Sequence, residues 1–384
     1  MTAPPIYGTI LSRDEEPVAA RCFHNLFSLC FKYTIALKIE ERKIKRKQYL
    51  YLALGLFVSV CCLAYALYDI KFSELRDAFA EANYLSLPAM WGFLYLFFLL
   101  KGLRWKWLLK PIGNYPLREV VPPMMIGFMG NNIYPAHLGD FIRVYVFARR
   151  NKVPYMAILS NIILERIFDI IALLGLTGCA LYFLPDVDEN VRKASLLFAA
   201  ATLIGLCFLS LYVYFTTFFL KLCRWLLFFA PVSIQDKILN QLELAARGFH
   251  VLRNPKLLIL LMLNSLLQWS CNAAMIYIAL WGFNVSVSPL AACLVLGVTA
   301  FGVMIPSSPG FFGVIQLCFV TSLLPLGVAK SDAVAASFYY HLCQYIPVTL
   351  SGFYYMFKVG LHMHDLEKAA DVETEANSAT IEAE

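Results

Sequence analysis

Long apolar runs alternate with short polar stretches along most of the chain, and these runs are its strongest structural signal. Each run has about 18 residues or more, which as an α-helix spans a hydrocarbon core of about 30 Å. The complete crossings are predicted at about residues 48–68, 85–103, 156–184, 194–220, 257–281 and 333–357. The pattern therefore predicts an all-α polytopic membrane protein with about six full spans.

Two further apolar segments are interrupted. Residues 117–150 break at Asn131-Asn132-Ile133-Tyr134-Pro135, and each arm has about 14 residues, or roughly 20 Å of helix, too short to cross. Residues 289–324 break in the same way at Ile305-Pro306-Ser307-Ser308-Pro309-Gly310. Because irregular backbone at this depth is stable only against protein or water, both segments are predicted to be re-entrant helical hairpins around a cavity.

Basic residues give the predicted orientation, because they concentrate in cytoplasmic loops. The run 40–47 and the end of the second span, with Lys101, Arg104 and Trp105, are placed in the cytoplasm, together with both termini. The predicted domains are a basic N-terminal segment (1–48), a transmembrane domain (49–361, with halves 49–184 and 194–358) and an acidic, disordered tail (362–384). The halves repeat one element order from opposite sides, which indicates an inverted-topology repeat.

Composition excludes a soluble protein. The chain has 384 residues, of which 60% are hydrophobic and 15% charged, against roughly 45–50% and about 25% in globular proteins. The net charge of +6 is explained by membrane orientation, so no nucleic-acid partner is predicted. The 11 cysteines are scattered without a Cys/His cluster, so we predict no metal site, disulfide framework or cofactor.

Charged residues inside apolar segments are the candidate functional residues. Inserting such a charge near the bilayer centre costs about 2.5–3.5 kcal/mol of free energy unless the charge is paired or hydrated. Glu165, Arg166 and Asp169 share neighbouring faces of one span, and Asp140 and Arg143 are three residues apart in the first hairpin. One interpretation is an ion-pair network that pins the hairpin to the span. The other is that the arginines, with nearby amides, bind an anionic headgroup while the acids position them.

The tips of the broken segments add a second argument for an anion. Broken helices point free N–H groups and the positive ends of their dipoles into the cavity, which favours phosphate. A simple loop with packing glycines is an equal alternative for the second break.

Three ordered motifs carry a family resemblance. They are Asn131-Asn132-Ile133-Tyr134-Pro135-x-x-Leu138-Gly139-Asp140-x-x-Arg143, Glu165-Arg166-x-x-Asp169 and Pro306-x-x-Pro309-Gly310-x-x-Gly313. Over about residues 49–361 the chain resembles the flippase-like family named for the transmembrane region of lysylphosphatidylglycerol synthases (YbhN-like, UPF0104). The resemblance implies a protein of the bacterial inner membrane that binds or translocates lipids, and whose best-known member moves an aminoacylated phosphatidylglycerol.

The second half is less charged than the family pattern. Asp140 stands where Glu is usual and His137 where Arg is common, while Gln316 and His341 stand where Glu and Arg often occur. These departures leave the headgroup open. The predicted substrate-binding set is Asn131, Asn132, Pro135, His137, Asp140, Arg143, Glu165, Arg166, Asp169, Pro306, Ser307, Pro309, Gly310, Gln316 and His341.

The leading functional hypothesis is a lipid flippase or lipid-binding transporter whose partners are membrane lipids with a phosphate-bearing headgroup. A membrane-embedded transferase acting on a lipid-linked substrate is the enzymatic alternative, although no polar segment here is long enough for a soluble catalytic domain. A non-catalytic partner of a lipid-modifying synthase is the third.

Overall fold

A computed structural model describes residues 53–134, 138–184, 254–305 and 307–361, with part of residues 193–239, and within them every regular element is a helix. The helices are α1 (Ala53–Leu67), α2 (Phe72–Glu81), α3 (Ser86–Leu108), α4 (Leu117–Ile133), α5 (Leu138–Asn151), α6 (Tyr155–Phe183), α7 (Thr216–Leu226), α8 (Pro255–Gly282), α9 (Pro289–Gly302), α10 (Val314–Leu323) and α11 (Lys330–Lys358). Short 3-10 turns cover Pro309–Phe311 and Leu324–Leu326.

Three of the described segments are long and apolar enough to cross a membrane: α3, α8 and the continuous stretch Pro309–Leu326 around α10. A fourth arises if α1 and α2, bent by 81°, form one broken span. The predicted spans at 156–184 and 333–357 correspond to α6 and α11, each 29 residues long. The all-helical membrane class is thus confirmed, whereas the count of six spans and the inverted repeat stay predictions.

Several predicted segments lie outside the described residues. These are the N-terminal segment 1–48, most of the span at 194–220 and the tail 362–384. The second broken segment differs from the prediction in one respect, because its arm at 311–324 is lengthened by a 3-10 turn at each end to the 18 residues of Pro309–Leu326.

The first broken segment folds as two antiparallel arms, α4 and α5, that pack through glycines. A Cβ atom at Gly130 would lie 2.9 Å from the Cα atom of Gly139, and one at Gly139 would collide with the carbonyl oxygen of Gly127 and the backbone of Asn131. Only glycine permits backbones to approach so closely, so these positions fix the spacing of the arms.

The second break is held by α1. The Ser59 hydroxyl accepts a hydrogen bond from the Ser308 backbone N–H at 2.9 Å and donates one to the Ser308 hydroxyl at 2.8 Å. Gly310 and Gly313 follow with φ angles of 74° and 88°, which favour glycine.

The two breaks meet in the structure. Gly310 lies against the end of α4, where a Cβ atom would be 3.4 Å from the carbonyl oxygen of Asn132. The interruptions that the sequence separates by about 170 residues therefore share one location in the bundle.

Candidate functional site

A buried ion-pair network lies between α3, α5 and α6. Glu165 is bound by three cations: its Oε1 atom is 3.1 Å from Lys101 Nζ and 3.3 Å from Arg104 Nη2, and Arg143 Nη2 donates to its Oε2 atom at 3.0 Å. Asp169 accepts from Arg104 Nη1 at 2.7 Å and lies 3.4 Å from Lys101 Nζ. All five side chains are at most 4% exposed, so the network excludes solvent.

Hydrogen bonds from α8 complete one side of this network. Trp269 Nε1 donates to Asp169 Oδ1 at 2.9 Å, and Arg104 Nη1 donates to the Ser265 hydroxyl at 2.6 Å. The Nε atoms of Arg104 and Arg143 have no hydrogen-bond partner among the described residues. Three basic side chains face two carboxylates, so the network has a formal excess of one positive charge.

The observed pairs run between helices, as in the predicted network that pins the hairpin to the span, although the partner of each charge was not predicted. Arg143 of α5 binds Glu165 of α6, and Arg166 Nη2 of α6 donates to Asp140 Oδ2 of α5 at 2.5 Å. The second pair is more open, since the Arg166 side chain is 41% exposed. The hairpin is thus tied to α6 at two points, as the structural interpretation of these charges requires.

Lys101 and Arg104 also belong to this site, although they were not among the predicted site residues. The prediction placed both residues at the cytoplasmic end of the second span, and the structure shows both side chains buried against the acids of α6. Trp105 is also buried, and the Arg143 guanidinium lies 3.6 Å from the centroid of its ring. The available signal was the helical spacing of Phe97, Lys101 and Arg104, which places the two cations on one apolar face.

A cavity of about 230 Å³ occupies the place where the two breaks meet. Aromatic rings and uncharged polar side chains form much of its wall, the rings from Phe97, Phe98, Phe128, Trp269, Phe311, Tyr340 and Tyr345 and the polar groups from Asn132, Asn272, Thr299, His341 and Gln344. No charged side chain of the described residues belongs to this wall.

Aromatic side chains separate the cavity from the ion-pair network. The Lys101 Nζ atom lies 5.5 Å from the ring centroids of both Phe97 and Phe128, and both rings also line the cavity. Trp269 likewise lines the cavity while its indole N–H binds Asp169. The excess positive charge therefore lies directly behind this aromatic wall.

The structure distributes the predicted binding residues over three places. Asn132, Gly310 and His341 line the cavity, whereas Arg143, Glu165 and Asp169 belong to the buried network. Asp140 and Arg166 form the more open pair. Pro135, His137 and Pro306 lie outside the described residues.

The remaining predicted residues support the second break. His341 packs on Phe312, with ring centroids 4.4 Å apart, and hydrogen-bonds the backbone of Gly310. The side-chain oxygen of Gln316 accepts from the Gly313 N–H at 2.7 Å. Pro309 begins the 3-10 turn, and Ser307 is buried with no partner for its hydroxyl within the described part of the chain.

The two asparagine side chains at the first break differ in their hydrogen bonding. Asn132 Nδ2 donates to the Thr349 hydroxyl of α11 at 2.8 Å. Asn131 is buried, and its side-chain oxygen has no hydrogen-bond partner among the residues described.

No group of three His, Cys, Asp or Glu side chains in the described residues is arranged to hold a metal ion.

Comparison with known proteins identifies the family. Residues 52–352 match the model of the lysylphosphatidylglycerol synthase TM region. The chain is 29% identical to glycosyltransferase AglD of Haloferax volcanii over 131 residues, which cover 33% of this chain and 20% of the relative. It is 21% identical to the UPF0104 membrane protein MJ1078 of Methanocaldococcus jannaschii over 223 residues, which cover 58% of this chain and 90% of the relative.

The chain thus spans only about a fifth of the glycosyltransferase but most of the UPF0104 protein. The family predicted from the three motifs is confirmed, since the model covers most of the sequence. The chain belongs to the family of the lysylphosphatidylglycerol synthase TM region.

Proposed function

We propose that this protein is a lipid flippase or lipid-binding transporter, which receives the polar headgroup of a membrane lipid in the cavity between the two breaks. The observation that carries this proposal is the buried set of three basic side chains on two carboxylates, formally one positive charge in excess, behind the aromatic wall of that cavity. In a medium of low dielectric constant, such a charge favours an anionic group such as phosphate nearby.

The size of the cavity supports a headgroup as its ligand. Pockets for drug-sized molecules have roughly 300–1,000 Å³, and this cavity has about 230 Å³. A headgroup fits this volume while the acyl chains remain outside. The amide of Gln344 lines the cavity and supplies an N–H donor for the oxygen atoms of the headgroup, whereas the amide of Asn132 donates to Tyr345 and Thr349.

Transport in this proposal uses the two halves of the chain. Rocking of one half against the other exposes the cavity to each leaflet in turn, as in transporters built from inverted repeats. Residence in the bacterial inner membrane, with both termini in the cytoplasm, is part of the same proposal.

Reconstituted vesicles test the transport step. Wild-type protein in phosphatidylglycerol vesicles is expected to move an acyl-labelled fluorescent phosphatidylglycerol from the inner leaflet to the outer one, where dithionite bleaches it. Ala300→Trp, which fills the cavity, should reduce the rate to that of protein-free vesicles, whereas Leu267→Trp on the exposed face of α8 should not. A wild-type rate equal to that of protein-free vesicles contradicts the proposal.

A lipid-linked transferase is the second candidate, favoured by the similarity to a protein named as a glycosyltransferase. The two carboxylates of α6 do not serve it well, because each is buried and bound to cations and is unavailable as a general base. Turnover of a lipid-linked sugar donor by the purified protein alone would establish this candidate. Co-purification of a lipid-modifying synthase would instead indicate a partner subunit.

A further inference from the structure

An apolar groove adjoins the cavity on the side of α3, α4 and α11. It has a volume of about 420 Å³ and shares Phe98 and Val348 with the cavity wall. Its outer edge carries Trp91 and Tyr95, which are 49% and 73% exposed and therefore face the surroundings of the protein. A groove of this kind, apolar, open at the surface of the protein and closed inward by Phe98, suits hydrocarbon chains.

A basic cleft continues the groove toward one end of the molecule. The cleft has a volume of about 510 Å³ and shares Val121 and Tyr355 with the groove. Arg118 at the start of α4, Arg150 at the end of α5 and Lys358 at the end of α11 line it. A neighbouring cleft of about 590 Å³ shares Arg150 and Lys358 and adds Arg149 to the basic group.

These basic side chains are available for a ligand. All four are exposed, and none lies within 4 Å of a carboxylate in the part of the chain that the structure describes. Arg149 donates to the Tyr145 hydroxyl and Lys358 to the Tyr354 hydroxyl, and Glu119 is the one acid among the described residues that lines the clefts. The net charge of the residues that line the two clefts is therefore positive, and this charge lies at one end of an apolar groove.

The apolar groove and the basic cleft together indicate the chemical class of the ligand. A free phosphate would use the basic cleft and leave the groove empty, whereas an anionic phospholipid uses both, with its phosphate on the cations and its acyl chains along the groove. The basic cleft and the groove form a seam between α4 and α11 that runs beside the proposed binding place, from which Phe98 and Val348 separate it.

We propose that an anionic phospholipid enters the protein along this seam, with its headgroup first bound by Arg118, Arg150 and Lys358 and its acyl chains in the groove of α3, α4 and α11. The proposal rests on the proposed function and adds to it the entry side, the charge class of the lipid and the residues that select it.

Photo-crosslinking tests this entry route independently of transport. The full chain, carrying benzoylphenylalanine at Ser351 in the groove wall, is placed in vesicles of equal parts phosphatidylglycerol and phosphatidylcholine. Mass spectrometry then measures the ratio of the two lipid adducts. The reference is the same crosslinker at Leu267, which is exposed on α8 outside the groove.

We expect phosphatidylglycerol adducts at Ser351 to be enriched at least about fivefold over the Leu267 reference, because each basic residue near an anionic lipid contributes about that factor. Arg118→Gln, Arg150→Gln and Lys358→Gln together should abolish the enrichment. Lys110→Gln should not, because this cation lies at the end of α3 outside the clefts. Melting temperatures establish that each variant is folded.

The outcomes separate the two proposals. Equal adduct ratios at Ser351 and Leu267, or enrichment that survives the triple substitution, overturn the entry route even if the protein moves lipid. Enrichment without transport in the vesicle assay supports the route and contradicts only the flippase.

Discussion

At the scale of single residues, the dominant feature is a set of charges removed from water. Ions in a medium of low dielectric constant are stable only when each has a partner of opposite charge, and the removal of one partner is costly. Glu165 is the central member, since Lys101, Arg104 and Arg143 all contact it. The stability of the hairpin against α6 should therefore depend on this carboxylate.

Glu165→Gln is expected to destabilise the protein by about 3–5 kcal/mol, because it leaves three buried cations with one carboxylate. The matched control is Asp140→Asn, whose partner Arg166 is partly exposed. That change should cost less than Glu165→Gln, because Arg166 is partly exposed and has a single carboxylate partner in the described residues. Thermal unfolding in detergent compares the two variants. Equal melting temperatures for Glu165→Gln and wild type would show that the network does not hold these helices together.

The pairing in this network could be predicted only in part. The sequence identified Asp140, Arg143, Glu165, Arg166 and Asp169 as intramembrane charges that need partners, but helical spacing relates residues only within one helix. The contacts of α5 and α6 with each other, and of α6 with Lys101 and Arg104, arise from tertiary packing. A single sequence contains no direct record of that packing.

At the scale of elements, the broken segments were the most predictable feature. Asn-Asn-x-x-Pro and Pro-x-x-Pro-Gly end a helix for local reasons, because proline removes a donor and glycine permits positive φ angles. The spacing of the hairpin arms is equally local, since it follows from glycines at their contact. The attachment of α1 to the second break through Ser59 was not predicted, since it joins residues 249 positions apart.

Gly139→Ala tests the packing of the hairpin arms. The added methyl group would collide with the Gly127 carbonyl oxygen and the Asn131 backbone, and such overpacking costs about 1–3 kcal/mol. Gly92→Ala in α3 is the control, because a Cβ atom there meets no other atom within 4 Å. Melting temperatures should fall for Gly139→Ala and not for Gly92→Ala. An unchanged value for Gly139→Ala would contradict the close approach of α4 and α5.

At the scale of the whole molecule, the fold brings both breaks, an aromatic wall and a positively charged network to one place. The wall of this cavity carries no charged side chain among the described residues, because the ion pairs lie behind Phe97, Phe128 and Trp269. The side chains of the network do not line the cavity, so in the proposed function the network acts on a ligand there through its charge. Selectivity for an anionic headgroup would thus come from the net charge, and orientation from the amides.

Native mass spectrometry of the purified protein tests most directly whether this cavity holds a lipid. Wild type and Leu267→Trp are expected to retain one anionic phospholipid through detergent exchange, whereas Ala300→Trp, with the cavity filled and an unchanged melting temperature, should lose it. Equal lipid retention by Ala300→Trp and wild type would contradict the claim that the headgroup binds where the two breaks meet.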